Sequence, residues 1–471
     1  MSFIKSYGIA LPHFRIEDNI LHPKGRKGVT KAICFSDEDI ITLAYEASQE
    51  IPKDDIDGLF FATSNPVFHN RYHASYLADL LNLKQGITAL DYTTGARSGT
   101  DALLLASELI DAGKFKNILV IASDVLFPEI GKELTTPFGH GACALLLSAE
   151  NATSEITFAK SFSSALAEEF VYKSSSVQYD PRFSRDAGFK NNLTSSLKNL
   201  VANPKSLDAV ILNSLYARMA GGIFAKEGFG ESQFAKDTLT SKIGNTGCVH
   251  ALLLLINELE NGKKNILLAD YTNGTNYFVV ETKGTIKNKC LQEALAKFDS
   301  IASYQDYLLL NKAGNFNADN YTTKEMFSSE MLMEREKASL LYLKGFKCAA
   351  CGTVYFLKAT RCKKCKCEKV ITVQLNKTGK VYTLTSEHYF PASFPPITML
   401  VIDLDGGGRV TVQQTDTMFP EKNTVEIGTK VKLVLRKMME NDGKPNYFWK
   451  AVTLRNTTTH NLAHKSTGLL P

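Results

Sequence analysis

The sequence predicts an α/β protein, with a duplicated core domain over the first 299 residues followed by a cysteine ribbon and a small all-β barrel. Three observations predict it. Apolar strand-like runs alternate with runs of helical period from the N-terminus onward, as in a mostly buried sheet flanked by helices. The same succession returns at an offset of roughly 150 residues. Past residue 343, two Cys-x-x-Cys units precede short alternating strands separated by turn residues.

The first strand is expected at Phe3–Ala10, ahead of Pro12. Residues 37–50 have helical spacing (Ile40, Leu43, Ala44, Ala47), and Ser36-Asp-Glu-Asp39 has the form of a capping box. A strand at Ile56–Ala62 is broken by Ser64-Asn-Pro66, and residues 72–83 are expected to be helical. Ala89 and Leu90 lead into a Gly-bearing loop, Asp91–Thr100, which opens a helix over Asp101–Ala112 and a strand over Asn117–Ala122. In the second half, Leu207–Asn213 echoes Ile56–Ala62, and residues 247–268 echo residues 99–120. Duplication predicts that the loops Gly95–Ser98 and Gly244–Gly247 face each other across a pseudo-twofold, so that both helices begin at one shared site.

Residues 300–343 are polar and Tyr-rich, then helical from Glu325 to Leu343, and read as a connecting arm. Beyond the cysteines, strands are expected at Val370–Leu375, Gly379–Leu384, Thr398–Asp403, Arg409–Gln414, Lys430–Arg436 and Tyr447–Thr453, with turns at Asp405-Gly-Gly-Gly408 and Asn441-Asp-Gly443. The expected divisions are 1–165 and 166–299 for the two halves, 300–343 for the arm, 344–369 for the ribbon, 370–455 for the barrel, and 456–471 for a disordered tail.

A net charge of +5 on 471 residues with 44% hydrophobic content is that of a globular protein with a large core. It does not by itself indicate nucleic acid. The longest apolar runs, such as Ala251–Ile256, are too short to span a bilayer, and Met1–Leu11 does not read as a signal peptide, so a cytoplasmic protein is expected.

Of the nine cysteines, Cys348, Cys351, Cys362, Cys365 and Cys367 crowd into twenty residues. Two Cys-x-x-Cys knuckles supply four thiolates for tetrahedral Zn²⁺ in a closed structural site: Cys348, Cys351, Cys362 and Cys365, with Cys367 as an alternative to Cys365. Lys358, Arg361, Lys363, Lys364, Lys366 and Lys369 surround it. They read as a solvated face, a clamp for coenzyme A phosphates, or a nucleic-acid patch with Tyr382, Tyr389, Phe390 and Phe394 as stacking residues.

The loop at 91–100 is shaped to present backbone N–H groups to a nucleophile or oxyanion, yet it has no Cys. Ser98 and Thr94 flank Ala96 without an evident His to activate them. Cys248 falls in a helical first turn, where the dipole would lower its pKa; as a buried packing residue it would be inert. Cys143 and His250 read as structural, and His140, in Phe138-Gly-His-Gly141, as a loop residue that can line the pocket.

Asp91-x6-Ser-Gly-Thr100, Phe138-Gly-His-Gly-Ala142, Gly244-Asn-Thr-Gly247 and the duplication together resemble the thiolase superfamily, in its branch of 3-hydroxy-3-methylglutaryl-CoA (HMG-CoA) synthase and ketoacyl-ACP synthase III. The ribbon and barrel resemble the zinc-ribbon/OB-fold proteins that accompany thiolases. The resemblance implies a five-layer αβαβα fold and an OB barrel. It places the family's nucleophilic Cys at Ala96, its His at Asn213, its Asn at the retained Asn245, and the synthase branch's Glu near Ser64. The pattern is similar to the nucleophile-less synthase-like subunit of the bacterial phloroglucinol acetyltransferase complex, fused to the OB subunit.

This implies a vestigial site at Ala96, Asn213 and Asn245, with Arg97, Asn245 and Gly274 near a coenzyme A thioester. It further implies a non-catalytic scaffold, a homodimer or pseudo-dimer, that serves a partner thiolase supplying the Cys. The alternatives are an active condensing enzyme, acyltransferase or retro-aldolase with a non-Cys mechanism, and an OB-fold nucleic-acid binder, which fits the α/β domain less well.

Overall fold

The computed structural model describes residues 1–166, 168–172, 175–198, 200, 204–315, 330–357, 360–389, 394–419, 421, 423–441 and 444–454. The predicted tail, Lys358, Phe390, most of the Asn441-Asp-Gly443 turn and the start of the arm helix lie outside them. The chain divides into two compact units, Met1–Ser328 with Leu435–Phe448, and Ser329–Val434 with Trp449–Pro471.

The first unit is built on a nine-stranded sheet: β1 (Ser2–Ala10), β2 (Gly58–Ala62), β3 (Thr88–Tyr92), β4 (Asn117–Asp124), β5 (Gly141–Ser148), β6 (Ser154–Ser163), β7 (Ala209–Asn213), β8 (Asn265–Tyr271) and β9 (Gly274–Thr282). Their order across the sheet is β7-β8-β9-β6-β1-β5-β4-β2-β3. The duplication is visible in the pairing. β2 lies parallel to β4, which is antiparallel to β5, which is antiparallel to β1. In the second half, β7, β8, β9 and β6 repeat that succession. Among the described residues no second-half strand matches β3, but an isolated parallel bridge, Val210 to Phe234, stands in its place. The halves join edge to edge where Ser2–Ile4 of β1 meets Ser154–Ile156 of β6.

The helices of this unit include α1 (Ile40–Ala47), α2 (His73–Leu80), α3 (Ser98–Asp111), α4 (Asn191–Leu197), α5 (Gly221–Lys226) and α6 (His250–Glu260). α3 and α6 share one core with both halves: Ala102, Leu103, Ala106 and Ile110 pack with Leu252, Leu253, Leu255 and Ile256 and with alternate strand residues such as Val120, Ile211 and Leu268. The intervening residues Val210, Leu212, Leu267 and Ala269 face the other way, onto Phe189, Leu193, Leu197 and Phe224. α6 is buried along its whole length, so its apolar run is that of a central helix rather than a one-sided one. The capping box of α1 is formed by Asp39 and Thr42, three residues later than expected, because Asp39 is the residue whose side chain reaches the free N–H groups of Ile41 and Thr42.

Two further expectations change. The connecting arm begins inside the first unit: Asp299–Ile301 pairs with Phe14–Glu17, and the helix Tyr304–Asn315 buries Tyr307 against Phe127 and Phe138. Glu330–Leu340 is a helix on the second unit's N-terminal side. The strand expected to open the barrel belongs instead to the ribbon. β12 (Val370–Gln374) pairs with β10 (Lys344–Cys348), which also holds β11 (Val354–Tyr355). The barrel is closed by five strands: β13 (Thr378–Glu387), β14 (Ile397–Leu404), β15 (Arg409–Gln414), β16 (Lys430–Asn441) and β17 (Lys444–Thr453), in the order β13-β14-β15-β17-β16. An alternating strand specifies which of its faces is buried but not which edge it joins.

Candidate functional site

The two Gly-bearing loops do meet. A Cβ on Gly99 would lie 2.1 Å from the carbonyl oxygen of Cys248, so only glycine lets the starts of α3 and α6 come this close. Ser98 holds the first loop by accepting the N–H groups of Thr94 and Gly95 on its hydroxyl, and Asn245 holds the second by accepting the Gly247 N–H at 2.9 Å. Asn245 therefore fixes its own loop. Ala96, the residue that the resemblance aligned with a nucleophile, is half-buried and offers only a methyl group.

Around that position the polar groups bond one another. Asn213, at the end of β7, donates from Nδ2 to Asp270 at 2.9 Å, and Thr100 donates to the other carboxylate oxygen at 2.6 Å. Asn276 donates to Thr100 and to Asp101. Arg97 is tied to the Asp101 carboxylate at 3.1 Å and to the carbonyl of Asn273. Gly274, with φ +110°, lets β9 start against Phe162 and Arg97, where any Cβ would collide with the Phe162 carbonyl. Arg97 and Gly274 thus touch, Asn213 is held by Asp270, and Asn245 bonds within its own loop. Asp270 was not foreseen from the sequence.

A second unforeseen carboxylate lies beneath the α6 loop. Asp124, at the end of β4, is buried and accepts five donors: Thr63 Oγ1, the Ser64 N–H and Asn65 Nδ2 on one oxygen, and Ser64 Oγ and the Cys248 N–H on the other. Ser64, where the family's Glu was expected, is consumed in this network. Of the two readings of Cys248, the buried packing residue holds: burial and then the Asp124 charge push its thiol well above the ordinary value. His140 lies in a loop, as expected. It is fully buried, accepts the Cys34 N–H on Nδ1 and donates from Nε2 to the Leu126 carbonyl, and burial lowers its pKa to about 4, so it is a neutral brace rather than a pocket residue. His250 pairs with Asp237 and Thr240, and Cys143 lies in the core, as expected.

Asp270 and His140 give the first unit opposing responses to pH. Burial raises Asp270 from 3.8 to about 6. Between those values the native state binds the extra proton, so this group's contribution to stability falls as pH rises toward 6. His140 is lowered from 6.5 to about 4, so across that window the unfolded state binds the extra proton and stability rises with pH. The two oppose each other between about pH 4 and 6. Asp270→Asn should therefore make the urea midpoint climb more steeply over that range than in the parent, by about 2–3 kcal/mol in total. Equal slopes would show that Asp270 titrates normally.

In the second unit, Cys348, Cys351, Cys362 and Cys365 bring their Sγ atoms within 4.8 Å of one another, with Cys348–Cys365 and Cys351–Cys362 at 3.5 Å. Four thiolates about 2.3 Å from one ion stand roughly 3.8 Å apart, so this donor set can hold a tetrahedral metal. The two knuckles are the same turn. Gly352 N–H returns to the Cys348 carbonyl and Lys366 N–H to the Cys362 carbonyl, with Gly352 (φ +72°) and Lys366 (φ +65°) both left-handed. That equivalence selects Cys365. Cys367 lies past the turn, where its carbonyl accepts the Cys362 N–H and its Sγ turns toward the Lys369 carbonyl.

Comparison with known proteins agrees with both units. The family described as 3-oxoacyl-[acyl-carrier-protein (ACP)] synthase III matches residues 90–165, and that described as ChsH2, C-terminal OB-fold domain, matches residues 372–436. The hydroxymethylglutaryl-CoA synthase of Caldivirga maquilingensis is 24% identical over 335 residues, 66% of this chain and 96% of that protein. A DUF35 domain-containing scaffold protein of Methanocaldococcus jannaschii is 36% identical over 118 residues, 24% of this chain and 82% of that protein. Among solved structures, an HMG-CoA synthase complexed with CoA has a TM-score of 0.55 at 18% identity, covering 65% of this chain and 89% of that one. PksG, an HMG-CoA synthase from Bacillus subtilis, has a TM-score of 0.55 at 15% identity, covering 67% and 88%. These two share the fold of the first unit. No helix among the described residues is long and apolar enough to cross a membrane.

Proposed function

Because this chain belongs to the DUF35 domain-containing scaffold proteins through its C-terminal part and carries an HMG-CoA-synthase-like thiolase-fold domain ahead of it, we propose that it is a non-catalytic subunit of an acyltransferase complex acting on coenzyme A thioesters. One observation supports this reading: residue 96, which the resemblance aligns with the family's nucleophile, is Ala, and Asn213, Thr100 and Asn245 are each hydrogen-bonded within the protein. Acyl transfer through a thioester needs a thiolate, a base and oxyanion donors. Asn213 cannot act as the base, and its amide is held by Asp270.

On this proposal the synthase-like domain pairs with a second copy or a relative, and Arg97, Asn245 and Gly274 lie at the entrance that receives the thioester. A partner thiolase supplies the Cys, and Zn²⁺ fills the four-cysteine site as a structural ion. The compartment is cytoplasmic, and nucleic acid is not the ligand. Purified protein incubated with acetyl-CoA is expected to keep its intact mass. An acetyl adduct on Cys248 or Ser98 would overturn the proposal.

A second reading has one observation in its favour. Asp270 titrates near 6, within reach of neutral proton transfer, and would serve a condensing enzyme, acyltransferase or retro-aldolase that uses no covalent Cys. It predicts turnover by the isolated chain that Asp270→Asn abolishes.

A further inference from the structure

Within the second unit, a cleft of about 690 Å³ opens between the ribbon and the barrel. Val354, Phe356, Leu357 and Leu404 give it apolar walls, and Lys363 and Arg409 stand at its rim. The volume is that of a binding site.

Two open strand edges border it. β11 is the terminal strand of the ribbon sheet and pairs only with β10 among the described residues. β15 is paired along one side by β14 over Arg409–Gln413, but on its other side β17 joins it only at Gln413 and Gln414. Its Arg409–Val412 stretch is thus free on that side among the described residues. Unpaired strand edges on a cleft wall fit another extended backbone, which gains main-chain hydrogen bonds there and side-chain pockets on alternate residues.

The charge is one-sided. Arg361, Lys363, Lys364 and Lys366 are exposed and enter no ion pair among the described residues. The cleft's only carboxylate, Asp403, is already gripped by both Nε and Nη2 of Arg409. Leu357, at 62% exposure, presents an apolar side chain at the same opening. One ring offered for base stacking, Tyr382, is covered, since the Arg409 guanidinium lies 3.4 Å from its centroid.

We propose that this cleft seats an extended polypeptide segment of a partner protein, with acidic residues against the Lys363 rim and alternate apolar residues against Val354, Phe356 and Leu357. The proposal rests on the scaffold reading above only for the nature of the partner; peptide binding here can hold or fail whatever the acetyl-CoA incubation shows.

The test is selection of octapeptides from a randomised display library on the full-length, zinc-loaded protein. The expected winners combine Asp or Glu with alternating Val, Ile or Leu and lack Pro. A synthesised winner should bind roughly 10-fold more weakly to Lys363→Glu and lose affinity as salt rises. N-methylation at alternate backbone positions should abolish binding. Zinc content is measured in the variant; if it falls, Leu357→Asp carries the comparison. An absence of winners, winners without acidic residues, or equal binding of the N-methylated peptide overturns the proposal. So does displacement of the peptide by adenosine 3′,5′-bisphosphate that itself binds in a Lys363-dependent way.

Discussion

Cys365→Ser is expected to remove the metal from the second unit and unfold the ribbon, whereas Cys367→Ser should leave both intact. The ribbon is a poor candidate for folding by burial alone. Its three strands are short, and β12 buries no residue fully. What holds it is the convergence of four sulfurs from two knuckles fourteen residues apart in sequence. Apparent binding free energies for structural zinc in small domains are about 10–16 kcal/mol at neutral pH, so losing one thiolate removes the dominant stabilising contribution. Metal analysis should give about one zinc per chain in the parent and in Cys367→Ser, and little in Cys365→Ser. Hydrogen exchange over residues 344–374 should lose its protection in parallel. Retention of zinc by Cys365→Ser would show that Cys367 can replace it, against the knuckle geometry.

The metal site was legible because its ligands are near one another in sequence and their spacing is itself the chemical signal. The duplication was legible for a similar reason: the Leu-rich run of α6 and the Lys-Asn-Ile-Leu strand start after it echo α3 and β4 at a fixed offset. What the sequence withheld are contacts made across long separations. Asp124 bonds residues sixty positions before it and 124 after it, and nothing in Ala122-Ser-Asp124 marks it as more than the end of a strand. Cys248 shows the consequence. Read locally, a helix start lowers a thiol's pKa; read in space, a neighbouring carboxylate and full burial raise it. His140 does lie in a loop, but Gly139 lets that loop pass close to Ile243 and Gly244, and the histidine is sealed beneath. The misassigned strand Val370–Gln374 reflects the same limit, since its alternation is compatible with either sheet.

Asp124→Ala is expected to be the most damaging single substitution in the first unit, costing about 3–5 kcal/mol. The reason is the number of groups that lose their acceptor. Two backbone N–H groups, two hydroxyls and an amide converge on this carboxylate, and the Thr63 and Cys248 ends of the network are themselves buried. A donor stranded in the interior costs about 1–3 kcal/mol, and charge-assisted bonds are lost as well. Asp124→Asn should rescue it only in part, because the amide keeps one acceptor oxygen and brings a nitrogen donor against groups of which three, two backbone N–H and an amide nitrogen, can only donate. Gly247→Ala should destabilise by an independent route: a Cβ there would lie 2.1 Å from Asp124 Oδ2, at a backbone φ of +58°. Urea unfolding checks all three.

The result also bears on function. If Asp124 is the pin that holds the 63–65 loop to the start of α6, its loss should lower stability and, in a complex with a partner thiolase, lower activity only in proportion to the folded fraction. A variant that stays folded while the complex loses activity would instead place Asp124 in contact with the reacting thioester, and the centre now read as vestigial would be a working one.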